Sequence, residues 1–200
     1  QVQALLGASG LSSGISGQYY TNAIDTRTRG LDIVATYRAR TAYGDFRFIG
    51  GVNRNETDIR GIVDNPPELE SLGNIELFDR GKRGALTDTI PDSKIALGLD
   101  WDHGRFRTNV RATRFGGYVV RNAINPDTDY DVDPEWIADL ELGYALSENF
   151  TVYAGANNLF NTYPERVREP SPTSGSNMYN TFAPFGFTGG TWFVRGTYNW

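Results

Sequence analysis

The sequence contains no cysteine. That excludes a disulfide framework and any thiolate-bound metal. It has one histidine, His103, which lies between Asp102 and Gly104 in a turn-like stretch. A catalytic dyad needs a nucleophile and a water-excluding pocket as well, so a plain turn residue and no enzyme are expected. One imidazole also argues against haem ligation by this segment, and no cofactor is expected. No apolar run approaches the roughly 18 residues a membrane helix needs. Positive charge is in the minority: the net charge is −5, which argues against a nucleic-acid partner. The opening QVQALLGASG has neither a basic region nor an apolar core. Either a signal has been removed or the start is an internal one.

What the chain does have is alternation. The mean hydropathy is −0.44, yet aromatics make up 13% and there are 23 Gly, a strand-and-turn composition. In the closing GGTWFVRGTYNW, Trp192, Val194, Gly196, Tyr198 and Trp200 share one face. Thr191, Phe193, Arg195, Thr197 and Asn199 share the other, polar except for Phe193. Period two is the signature of a strand with two different faces. The same pattern is clear over residues 29–40, 46–53, 94–101, 105–112, 136–146 and 150–157, and with the closing stretch it predicts seven strands, each extending to about 11–13 residues. Such strands are long enough to cross a bilayer when tilted. Residues 1–16 read as loop or strand end, and a helical turn is expected at 68–72. Tight turns at 42–45, 102–104 and 147–149 alternate with long loops over 56–91, 120–133 and 161–188. The expected fold is all-β, an antiparallel up-and-down transmembrane β-barrel. All short turns then lie on one side, with the C-terminus, and all long loops on the other. Low mean hydropathy is compatible with this, because only alternate residues meet lipid. Two other readings stand beside it. If residues 1–16 supply an eighth strand, the chain closes alone as a small passive barrel. A soluble β module that binds carbohydrate is the third.

Three stretches resemble the C-terminal part of a TonB-dependent outer-membrane receptor. They are Thr28-Arg29-Gly30-Leu31-Asp32-Ile33, then Asn157-Asn158-Leu159-Phe160-Asn161 with Tyr163-Pro164, and Pro184-Phe185-Gly186-Phe187-Thr188-Gly189-Gly190 before the last strand. The resemblance implies a chain that is one portion, residues 1–200, of a larger barrel of about 22 strands with a plugged lumen. The plug domain and the TonB-contacting segment are expected to lie outside it. It further implies the outer membrane of a Gram-negative bacterium, with lipid and lipopolysaccharide as surroundings. The implied function is TonB-dependent uptake of a scarce small-molecule ligand, most often an iron–siderophore complex. Cobalamin, haem or a carbohydrate are ligands of other members. The aromatic end, Trp192, Val194, Tyr198 and Trp200, resembles the signal read by the barrel-assembly machinery.

The remaining candidates carry a sharp and a plain reading. Arg80, Lys82, Arg83, Arg166 and Arg168 fall in external loops; they suit an anionic ligand or lipopolysaccharide, or are solvated loop charge. Tyr179, Phe182, Phe185 and Phe187 suit stacking on a sugar or aromatic siderophore, or an outer aromatic girdle. Tyr19, Tyr20 and Trp136 invite the same pair. Asp127, Asp129, Asp131 and Asp133 alternate, but Val132 and Ala138 break the EF-hand pattern, so a solvated acidic loop is expected and no metal. Arg38, Arg47, Arg107 and Arg111 of the lumen face are expected to pair with Asp32, Asp100, Asp139 and Glu141, or with a plug.

Overall fold

The computed structural model describes residues 22–64, 76, 78–167 and 178–200. Seven strands form one antiparallel sheet, each hydrogen-bonded to the next in chain order. They are β1 (Ile24–Thr41), β2 (Gly44–Ile62), β3 (Ser93–His103), β4 (Phe106–Phe115), β7 (Glu135–Ala145), β8 (Phe150–Asn157) and β9 (Thr191–Tyr198). A small hairpin, β5 (Tyr118–Val120) with β6 (Tyr130–Val132), and one helix, α1 (Arg80–Thr87), sit in the long connections. Every sequential pair within the large sheet is a meander step, so the chain runs up and down as expected. β1 and β9 are not paired with each other, and the sheet is an open section of a barrel wall.

The register shows why alternation was so clear. Tyr37 faces Phe48, Phe48 faces Leu99, Leu99 faces Val110, Val110 faces Leu140, Leu140 faces Ala156, and Ala156 faces Trp192. One apolar row therefore crosses all seven strands. The neighbouring row on the opposite face runs Arg38, Arg47, Asp100, Asn109, Glu141, Gly155 and Phe193. A one-residue slip of β1, β2, β3, β4 or β7 would turn its charged residues toward the apolar face. Among the described residues the apolar face is left largely uncovered: Val194 and Trp192 are 78% and 77% exposed, and Leu31, Leu97 and Leu142 are exposed too. A water-soluble sandwich buries such a face against a second sheet. The compact apolar cluster lies elsewhere, in the hairpin, where Tyr118, Val120 and Val132 pack with Tyr130.

The tight ends of the strands carry a ring of aromatics. Tyr37 stacks on Phe48, Phe46 on both Phe48 and Trp101, Trp101 on His103, and Phe106 meets Tyr144 at 5.0 Å. Aromatic girdles of this kind mark a bilayer–water interface. His103 is thus the last residue of β3 and a member of the girdle. At the first turn Gly44 has φ 115°, and a Cβ there would meet Asp102 O at 2.4 Å. Any other residue would strain the turn. The C-terminus lies at this same end, because Tyr198 pairs with Phe150 and Asn199 N donates to Asn149 O.

Four expectations need correction. Strand lengths run from 8 to 19 residues, not 11–13. β2 continues to Ile62, so residues 56–62 are strand rather than loop; β1 pairs with them from Ile24 onward, with one bulge at Asp25/Thr26. This extension has no apolar alternation because it has no lipid beside it. Residues 80–83 are not loop but the first turn of α1, capped by Asp79, whose side chain accepts from Lys82 N. The stretch 120–133 is not a plain loop: it is closed by β6 and contains a 3-10 turn at Pro126–Thr128. The expected helical turn at 68–72 and the fate of residues 1–16, Tyr19 and Tyr20 lie outside the described residues.

Candidate functional site: the loop platform and the inner wall

At the loop end, α1 and the β5–β6 hairpin are clipped together by charge. Asp129 is the centre. Arg80 binds it with both terminal nitrogens, one of them at 2.6 Å to Oδ1, and Arg121 Nη1 donates to its Oδ2 at 3.1 Å. Asn122 N also donates to Asp129, at 2.8 Å. Arg80 reaches Asn122 O as well, and Arg121 Nε reaches Asp88 just after α1. The Asp129 side chain is only 14% exposed. The bound Arg80 guanidinium, helped by Asn122 N and Arg121, holds its carboxyl well below the usual carboxylate range. Packing keeps the pieces close: Gly84 of α1 leaves room for Arg121, whose Cγ would sit 2.5 Å from a Cβ there.

Asp129 is therefore not part of a solvated acidic loop. Asp131 and Asp133 are exposed, and no group of three or more metal-ligating side chains exists among the described residues. In the sequence Arg80 and Asp129 stand 49 positions apart, and only the fold brings the pair together.

The third long connection is anchored by asparagines. Asn158 and Asn161 adopt φ of 50° and 55°, a region asparagine tolerates better than most residues. Asn158 exchanges side-chain bonds with Thr162 N and O, its own N–H donates to Asp139, and Asn161 Oδ1 accepts from Gly190 N at 2.8 Å. Arg166 and Tyr179 form an antiparallel bridge. Tyr179 stacks on Tyr163 at 5.6 Å, and Phe185 meets Phe115 at 5.7 Å. These rings hold the loop to the wall and to itself. Phe182 and Phe187 are exposed, as is Trp136 on the apolar face of β7.

The site residues named from sequence thus separate. Arg80 is engaged by Asp129. Arg83 pairs with Glu76. Arg166 is exposed beside the Tyr163–Tyr179 stack. Arg168 lies outside the described residues. Of the closing strand, Trp192, Val194 and Tyr198 stand on the apolar face and Trp200 follows its end, fully exposed.

Below the loops, the inner wall forms an open recess of about 630 Å³ lined by charge. Arg47 Nε donates to Asp100 at 2.6 Å, Arg195 to Glu141 at 2.8 Å, and Arg107 lies 3.8 Å from Asp102. Tyr153 carries the Arg195 guanidinium over its ring at 4.6 Å. The expected pairing was right in kind and partly wrong in partners. Asp32 is bound by Asn53 and Asp139 by Asn158 N, while Arg111 has no carboxylate within 4.0 Å among the described residues. An ionised wall that leaves an arginine unpaired faces water or another polar body.

Comparisons with known proteins agree with this geometry. The ferric-catecholate import receptor Fiu from Escherichia coli K12 superposes with a TM-score of 0.56 at 15% identity, over 88% of this chain and 21% of that one. The pyoverdine outer-membrane receptor FpvA from Pseudomonas aeruginosa PAO1 gives 0.54 at 15%, over 88% and 22%. The FpvAI–pyocin S2 complex gives 0.55 at 14%, over 87% and 19%. The chain spans about a fifth of each of these structures. Among curated proteins none matches in sequence. Residues 3–159 match the family described as TonB dependent receptor-like, beta-barrel, and the chain belongs to that family.

Proposed function

We propose that this chain is the C-terminal part of a TonB-dependent importer that takes a scarce ligand, most simply an iron–siderophore complex, across the outer membrane. Family membership makes it a Gram-negative outer-membrane protein. The observation that carries the import reading is the wall itself, apolar toward lipid and charged toward the lumen, topped by a braced loop platform. The family match favours import over a passive pore. On this reading the plug and the TonB-contacting segment lie in other parts of the protein, and TonB is the energising partner. Trp192, Val194, Tyr198 and Trp200 serve the barrel-assembly machinery.

Ligand contact falls to Arg83, Arg166, Arg168, Tyr179 and the neighbouring Phe185. Arginines suit catecholate, carboxylate or hydroxamate oxygens, and rings suit flat ligand bodies. Arg80 is assigned to bracing the platform. The test is uptake of iron-labelled siderophores, with maltodextrins and cobalamin as comparison ligands, in a strain lacking the intact receptor. The reading expects one iron complex to lose energy-dependent uptake, and a protonophore to abolish it in the parent strain. Unchanged uptake of iron complexes with loss of a sugar or cobalamin would overturn the iron assignment. Uptake indifferent to the protonophore would overturn active import.

A further inference from the structure

Two arginines stand on the apolar face rather than on the inner wall. Arg54 lies in register with Leu31 on β1 and Ser93 on β3. Arg114 lies in register with Ile95 on β3 and Trp136 on β7. Leu31 and Trp136 belong to the apolar face, so both arginines belong to it too. Further toward the loops on this face, Arg29 stands opposite Glu56 and Arg27 opposite Asp58 across β1 and β2. Those charges balance in pairs. Arg54 and Arg114 are left over: neither has a carboxylate within 4.0 Å among the described residues.

Their height on the wall gives the surplus charge a setting. β3 spans 11 residues from His103, in the aromatic girdle, to Ser93 beside Arg54. That is about 33 Å along a strand. At the usual tilt it is about 25 Å across a bilayer, the height of an outer-membrane apolar band. Both guanidinium groups therefore belong at the headgroup level on the loop side, with Trp136 next to Arg114 as an interfacial ring. A second observation lies directly below them. An apolar groove of about 480 Å³ runs along the outer surface of β1 to β4. Its floor is made by Ala35 and Gly50, which are in register, and by Ala112, the next residue on the same face below Arg114. Phe48 and Val110 bank it. A Cβ at Gly50 would meet nothing within 4 Å. Small residues thus open a hollow in a face that is otherwise bulky, and it starts under the two unpaired cations.

We propose that Arg54, Arg114 and this groove bind lipid A, the phosphorylated anchor of lipopolysaccharide in the outer leaflet. Each guanidinium takes one phosphate, and an acyl chain lies in the groove over Ala35, Gly50 and Ala112. Arginine suits phosphate because its fork donates to two oxygens at once. The arginines are two strands apart, about 10 Å. That spacing fits a disaccharide headgroup phosphorylated at both ends better than a lipid with a single phosphate. The site is on the outside of the wall, separate from the arginine-and-tyrosine surface, and does not depend on what is imported.

The test is lipid titration of the intact receptor in detergent, read by native mass spectrometry. The probes are bisphosphorylated lipid A, the same lipid stripped of phosphate, and phosphatidylglycerol. Saturable binding of lipid A, about tenfold tighter than of either other probe, is the expected result. Arg54→Gln and Arg114→Gln should each weaken it about fivefold, the contribution of one arginine at an anionic surface. Gly50→Leu fills the groove without a clash and should weaken it severalfold. Arg38→Gln, on the inner wall, should leave it unchanged. Arg54 is exposed, so R54Q and G50L keep the test sound if the Arg114 variant does not assemble. Lipid A bound no tighter than its phosphate-free form or than phosphatidylglycerol would overturn the proposal. So would unchanged affinity in both R54Q and G50L, or a loss in R38Q as large as in R54Q.

Discussion

Asp129 shows how much one side chain can organise. It accepts from two guanidinium groups and one backbone N–H, and it joins α1 to the β5–β6 hairpin. Replacing Asp129 by Asn leaves two arginines facing a neutral amide. The loss should be about 1–3 kcal/mol of local stability. Hydrogen exchange should speed up at residues 118–132 and at α1, with the tight-turn end of the sheet unchanged. The acid response follows from the lowered carboxyl. Its folded value lies below its unfolded one, near 3.9, so its contribution is complete above that value and is lost as pH falls through the folded one. Exchange at residues 118–132 should therefore not change through this group between pH 5 and pH 7, and should rise only in stronger acid. Gly84 makes a second case. Alanine would ordinarily favour a helix by up to about 1 kcal/mol. Here its Cβ would meet Arg121, and Gly84→Ala should loosen the same amides despite the helix gain.

At the scale of elements, the strand faces decide. Val194 and Arg195 are neighbours on β9, but one stands on the apolar face and the other bonds Glu141 across the inner wall. Val194→Arg should cost about 2–4 kcal/mol if the residue lies near the bilayer midplane. Arg195→Gln exchanges one half-exposed ion pair for a polar amide and should cost less than about 1 kcal/mol. Denaturant titration of the intact receptor folded into lipid vesicles separates the two; equal costs would show that the faces are misassigned. This contrast also explains what could be read in advance. Residues 94–101 and 150–157 alternate cleanly because lipid selects one face and water the other. Residues 54–62 are strand too, but both their faces meet water, and Glu56, Thr57, Asp58 and Arg60 look like loop. Helix α1 was hidden for another reason: eight residues with two glycines carry almost no helical period. The hairpin strands, three residues each, are too short to alternate at all. Among site residues, the cations were legible as cations, but their partners were not. Arg80 and Asp129, or Arg47 and Asp100, meet only through the sheet register and the folding of the loops.

For the whole molecule, the seven strands behave as one wall with two solvents. The apolar row from Tyr37 to Trp192 is continuous across every strand, and the opposite face carries a polar row from Arg38 to Glu141 across the first five strands of the sheet. Among the described residues β1 and β9 leave free edges, and an unpaired edge is not tolerated within a bilayer. Further strands of the intact receptor are expected to close both. Cysteine, absent from this stretch, supplies the most direct test. Single cysteines placed at Leu97, Val110 and Val194, and at Gly98, Arg111 and Arg195, can carry nitroxide labels in the intact receptor, reconstituted in lipid. The account predicts that labels at Leu97, Val110 and Val194 collide with dissolved oxygen and are shielded from a water-soluble nickel chelate. Labels at Gly98, Arg111 and Arg195 should be shielded from lipid-borne oxygen. If alternate positions along β3, β4 and β9 show no difference, or show the opposite one, the two-solvent wall is wrong.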